Sequence, residues 1–135
     1  MKSFPALVAL ALAGCASAPA TEAIYFPELA ARVASGDSAA LDQVLALSAS
    51  SAPGEQLEEL AELAATYVRP KPALFLRAQL SGPGCFGVSF LGPNFVDNPG
   101  ARAQELAARR QALSSVADTA LAEVKARCLA ELAGS

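Results

Sequence analysis

An all-α domain is predicted for this chain, a small irregular helical bundle of about five helices with one Gly/Pro/Phe-rich crossover loop. Three observations lead there. Apolar residues recur at helical spacing in successive stretches. Clusters of proline, glycine and serine fall between those stretches. The apolar fraction of 53% is inflated by alanine while aromatics make up only 6%, so the core relies on close packing of small side chains more than on large rings. A chain of 135 residues has room for one domain that buries a modest core without a metal.

The first helix is predicted over residues 25–34, with Pro27 near its start and Ser35-Gly36 as its C-terminal cap. Asp37 or Ser38 caps a second helix, whose Leu41, Val44, Leu45 and Ser48 share one face. The stretch "SASSAPG" breaks it. A third helix begins at about Glu55, and its Leu57, Leu60, Ala61, Ala64, Tyr67 and Val68 form one stripe. Glu55, Glu58 and Glu59 crowd its first turns, where the macrodipole favours negative charge.

Arg69-Pro70-Lys71-Pro72 stops that helix and starts a fourth, which carries Leu74, Phe75 and Ala78 inward. The crossover "SGPGCFGVSFLGPNF" follows. Alternation of Phe86, Val88 and Phe90 with Gly87 and Ser89 predicts a short extended piece with one apolar face. Asn98-Pro99 makes an N-cap and N1 pair, after which no proline occurs. The last apolar stripe runs through Leu106, Leu113, Val116, Ala117, Ala120, Leu121, Val124 and Cys128. One straight helix of that length would reach about 50 Å, long for this domain, which leaves two readings, one continuous helix or a break near Ser114-Ser115. Glu105 with Arg109, and Glu123 with Arg127, have the favourable i, i+4 order and are expected on the outer face. Short helices joined by short loops suggest antiparallel neighbours. The stretch "VASGDSAALDQVLAL…LEELAELAATYVRPKPALFLRAQL" faintly resembles HEAT-like helical pairs, which implies a short α-solenoid-like array as the alternative to a bundle.

Upstream of these helices the chain reads as an address. A basic start at Lys2 precedes an apolar run over residues 4–13, about 15 Å of helix and too short to span a bilayer, which fits a secretory signal peptide. The run ends in Leu12-Ala13-Gly14-Cys15, which resembles the lipobox of bacterial lipoproteins. That resemblance implies recognition of Leu12, Ala13 and Gly14 by the lipoprotein signal peptidase and cleavage before Cys15. It also implies a diacylglycerol on the Cys15 sulfur and an acyl group on the new amine, with no other cofactor expected. Several acyl chains at ~0.8 kcal/mol per buried CH₂ would anchor the chain stably. Ala16, in place of the aspartate that retains enteric lipoproteins at the inner membrane, implies the inner leaflet of the outer membrane, facing the periplasm. The inner membrane is the alternative. Residues 1–14 are thus expected as a cleaved signal peptide, 15–23 as lipidated terminus and tether, and 24–135 as a single helical domain.

The chemistry on offer is sparse. Ten basic and 13 acidic residues are mixed along the chain for a net charge of −3, which leaves no basic stripe for nucleic acid. There is no histidine, so Cys85 lacks the base that a Cys-His nucleophile requires. No Cys-x-x-Cys is present, and neither a metal-ligand cluster nor a calcium-type loop can be drawn. Glu58, Glu59 and Glu62 sit within about one helical turn, unlike the two carboxylates of a glycosidase, which flank the scissile bond from separate elements.

With Cys15 acylated in an oxidising compartment, two cysteines remain, one in the crossover and one on an inward helical face. That pairing predicts a Cys85–Cys128 disulfide, against two free thiols as the alternative. Phe86, Phe90 and Phe95 either pack over the helices or form a contact patch for a protein partner together with Asn94, Asp97, Arg109 and Arg110. The function expected is that of a non-enzymatic lipoprotein with a helical binding or envelope-assembly domain. The alternatives are an immunity or inhibitor lipoprotein against a secreted toxin, a cell-wall enzyme using Glu and Asp, and small-ligand binding in an apolar cavity between the helices.

Overall fold

The computed structural model describes residues 26–50 and 53–135. The predicted signal peptide, the Leu12-to-Cys15 motif, the tether and Tyr25 lie outside the described residues. Six α-helices and no strand are found among the described residues. They are α1 (Phe26–Ala34), α2 (Ser38–Ala49), α3 (Gly54–Ala65), α4 (Pro72–Ala78), α5 (Pro99–Ser114) and α6 (Ala122–Ala133). Short 3₁₀ turns occupy Gln79–Ser81, Pro93–Phe95 and Thr119–Leu121. α2 packs against α1, α3 and α4, while α4 also meets α5 and α6, so α2 and α4 form the middle of the bundle.

The helix ends follow local chemistry. α1 closes in a Schellman arrangement: Gly36, at φ +77°, donates to the Val33 carbonyl and Asp37 donates to that of Arg32. Asp37 then turns round and caps α2, its Oδ1 accepting from the Ala39 amide at 2.9 Å. The same residue ties the corner together, because Arg32 Nε donates to its Oδ2 at 3.0 Å and the Tyr67 hydroxyl donates to its carbonyl at 2.8 Å. The hydrogen bond from Arg32 holds the Asp37 carboxyl below its ordinary pKa. Burial, and secondarily the Asp37 charge, pushes the Tyr67 hydroxyl above its own. Asn98 caps α5 through Ala101, with Pro99 in the first turn.

One core holds the bundle. Leu41, Val44, Leu60, Val68, Phe75, Leu76 and Leu113 are all wholly buried. Tyr67 and Val68 are buried as expected, but in the turn beyond the end of α3. Leu57 departs from its expected inward stripe and is 37% exposed, because it lies one turn from the free end of α3, ahead of the first residue that meets the core, Leu60.

The expected last helix is two, α5 and α6, and this raises the count from five to six. Ser115 closes α5 by donating its amide to the Gln111 carbonyl, and its hydroxyl bonds to that of Ala112. Asp118 then starts the next turn by accepting from the Ala120 amide. The break carries no glycine or proline. It is made by a serine and an aspartate that satisfy backbone groups a continuous helix would otherwise use. It also shifts the register, so Ala117 and Ala120 are exposed rather than on the inward stripe, while Val116 plugs the core. Lys125 Nζ secures the break by donating to the Val116 carbonyl at 2.8 Å.

Candidate functional site

The crossover between α4 and α5 holds most of the residues expected to carry function, and it forms no extended piece. Residues 86–89 form a turn, with Val88 N–H bonded to the Cys85 carbonyl and Phe90 N–H to that of Gly87. Gly87 takes φ +84°, a left-handed conformation that ends the alternation expected of a strand. A side chain there would also meet α3, since a Cβ at 87 would fall 2.8 Å from that of Ala64 and 2.9 Å from the Ala61 carbonyl oxygen. Val88 is wholly buried, whereas Phe86, Phe90 and Phe95 are half-buried.

Side chains from the neighbouring helices hold this loop. Cys85 and Cys128 form a disulfide with a Cα separation of 5.1 Å, and both are buried. On either side of Cys128, Arg127 donates to the carbonyls of Gly84 and Gln79, at 3.0 and 2.8 Å, and Glu131 accepts from the Cys85 amide at 3.0 Å. Arg127 therefore does not form the surface pair expected with Glu123, because the loop carbonyls lie within its reach. Gln79, only 3% exposed, makes a reciprocal pair with the backbone of Phe86: its Nε2 donates to the carbonyl and its Oε1 accepts from the amide.

Arg109 corrects a further expectation. It is 6% exposed, not on an outer face, and one guanidinium nitrogen donates to the carbonyls of Val88 at 2.9 Å and Phe90 at 2.7 Å. Its Nε reaches Glu105 Oε1 at 3.0 Å, while Arg69 takes Glu105 Oε2 at 2.8 Å. Arg109 is thus a buried strut of the loop. It is paired and bonded to carbonyls, the condition under which a buried charge is tolerated.

Concavities open around the loop. A polar cleft of about 610 Å³ lies between the end of α3, the Pro93–Phe95 turn and α5. It gathers Phe90, Asn94, Phe95 and Arg109 from the expected patch and adds Glu62, Thr66 and Arg69. Arg110 is exposed and lines none of the concavities described, and Phe86 faces elsewhere. Phe86 belongs to a second groove of about 760 Å³, walled by α2, the loop around Cys85 and the end of α6. Glu58 and Glu59 are exposed on α3 and line neither. Glu62 and Glu105 do share the polar cleft from separate helices, but both Glu105 oxygens already accept from guanidinium groups. Glu105 is thus engaged as an acceptor at both oxygens.

Sequence reasoning missed Gln79, Arg127, Glu131 and Arg69 as organisers of this region. One signal was present: Gln79 lies four residues after Phe75, which places an amide on the inward face of an apolar helix. No group of three or more His, Cys, Asp or Glu side chains among the described residues is placed to hold a metal ion. No helix among them is long and apolar enough to cross a membrane. Comparison with known proteins finds no matching family model, no matching curated protein and no matching solved structure.

Proposed function

We propose that this chain is a membrane-anchored lipoprotein facing the periplasm, whose helical domain serves as a non-catalytic binding or envelope-assembly module. The observation that carries the reading is the tetrad Leu12-Ala13-Gly14-Cys15 at the end of a short apolar run with a basic start. Acylation of Cys15 supplies the anchor, and the outer membrane's inner leaflet is the destination that Ala16 implies. The pairing of the other two cysteines supports an oxidising compartment, where a structural disulfide forms and persists.

The polar cleft is the partner face this reading favours. It presents the half-buried rings of Phe90 and Phe95 beside Asn94 and the half-exposed Arg69, a mix of aromatic and guanidinium groups typical of protein contacts. The experiment has two arms. Cys15→Ala should move the protein from the membrane to the soluble periplasmic fraction, and retention at the membrane would sink the anchor. A photo-crosslinking residue in place of Asn94 should capture a reproducible protein partner in cells, whereas one in place of Arg110 should not. Equal capture from both positions would remove the cleft as the partner face.

A further inference from the structure

The groove beside the disulfide differs from the polar cleft in its walls and in its charge. α2 contributes Leu45, Ala46 and Ala49, and the loop opposite contributes Pro83, Cys85 and Phe86. Its volume of about 760 Å³ falls within the roughly 300–1,000 Å³ of small-molecule sites, and its walls are mainly apolar, as those sites are.

Several polar groups of the loop wall are already engaged. Gln79 has given its amide to Phe86, the Gly84 carbonyl accepts from Arg127 and the Cys85 amide is held by Glu131. The ionisable groups lining the groove are Asp42 on α2 and Glu131 on α6, both carboxylates. Arg127, whose guanidinium donates to the Gly84 and Gln79 carbonyls, is not among the lining residues. An apolar trough with negative charge from two separate helices complements a ligand with the opposite charge on an apolar body.

We propose that this groove binds an amphiphilic cation: an aliphatic or aromatic body seated between α2 and the Cys85 loop, with an ammonium group directed to Asp42 and Glu131. A negatively charged amphiphile of the same shape is disfavoured by both carboxylates. The proposal concerns a different surface from the partner cleft and stands whether or not Cys15 is acylated.

The test uses the full-length chain mixed with nanodiscs of zwitterionic phospholipid, whether or not it inserts into them, with empty discs subtracted. Three probes share one body and differ in charge: 4-phenylbutylammonium, 4-phenylbutanol and 4-phenylbutyrate, followed by saturation-transfer NMR and calorimetry. The cation should bind saturably and at least about tenfold tighter than the carboxylate, with the alcohol between them. Ala46→Arg, at an exposed helical position where arginine is a good helix former, should weaken the cation by about tenfold or more without changing the thermal midpoint. Asp42→Asn should narrow the gap between cation and alcohol severalfold. The proposal is overturned by any of three results: no saturable binding of the cation, equal binding of the carboxylate, or cation binding untouched by Ala46→Arg. It also falls if the cation binds only after deletion of residues 16–23, because the occupant would then be this chain itself.

Discussion

Gly87 presses against Ala64 so closely that a methyl group added at position 87 would lie 2.8 Å from the Ala64 Cβ. The contact seats the crossover directly on α3, and the φ of +84° at Gly87 turns the loop back toward α5. Gly87→Ala combines a strained backbone with an overpacked contact. It should cost about 2–4 kcal/mol, read as a lower urea midpoint with an unchanged slope. Gly54→Ala, where a Cβ would meet open space within a helix, should be neutral or stabilising in the same assay.

Arg109 should matter for stability as much as any apolar core residue. Arg109→Met leaves the Val88 and Phe90 carbonyls without their donor and Glu105 with only the half-exposed Arg69. A loss of about 3–5 kcal/mol is expected on denaturant unfolding. Arg109→Lys should fall between the variant and the native chain, because an ammonium keeps the charge but not the fork. A methionine variant as stable as the native chain would show that the loop is held without it.

The Cys85–Cys128 bond closes 43 residues, for which chain entropy gives about 4 kcal/mol of stabilisation. The double variant Cys85→Ala/Cys128→Ala should lose stability on that order, and a reductant should then have no further effect. Thiol labelling of the denatured, unreduced native protein should find neither cysteine free.

Asp37 predicts a pH dependence of known sign. Its carboxyl is depressed in the folded state by the hydrogen bond from Arg32, so the stabilisation is fully present above the ordinary value of 3.8 and is lost as pH falls through the lower folded value. Asp37→Asn keeps a side chain able to cap α2 and removes the charge. The thermal midpoints of the two proteins should therefore differ near neutral pH and converge only as pH falls below 3.8 through the lower folded value. A gap that stays constant into acid would mean that the cap, not the charge, is what Asp37 contributes.

Much of the helical pattern was legible in the sequence because it is local. Asp37 and Asn98 announce helix starts through side chains that bond two or three residues ahead, and Gly36 announces an end through its own backbone. The cysteine pairing was legible by parity once Cys15 was set aside. Arg109 was not, since Glu105 four residues earlier gives the pattern of a solvated pair, and nothing in the sequence says that two loop carbonyls will arrive above it. Arg127 misleads in the same way. Ala117 and Ala120 were misplaced because the turn at residues 115–118 resets the helical phase, and alanine signals neither side. The alternation of Phe86, Val88 and Phe90 was real, but Gly87 converts it to a turn through contact with a helix some twenty residues upstream.

The clamp on the crossover also bears on how slowly this loop gives up its protons to solvent. The amides of Cys85 and Phe86 belong to no helix or strand, yet they are bonded to Glu131 on α6 and to Gln79 beside α4. The disulfide tethers Cys85 to α6 and the buried Gln79 holds Phe86, so little room is left for the loop to open locally. Their deuterium uptake should therefore match that of the innermost helical amides, and the sharpest contrast is with exposed Asn94 and Val96 in the same connection. The crossover would then count, in exchange time, as core as far as Val88 and as surface only beyond it.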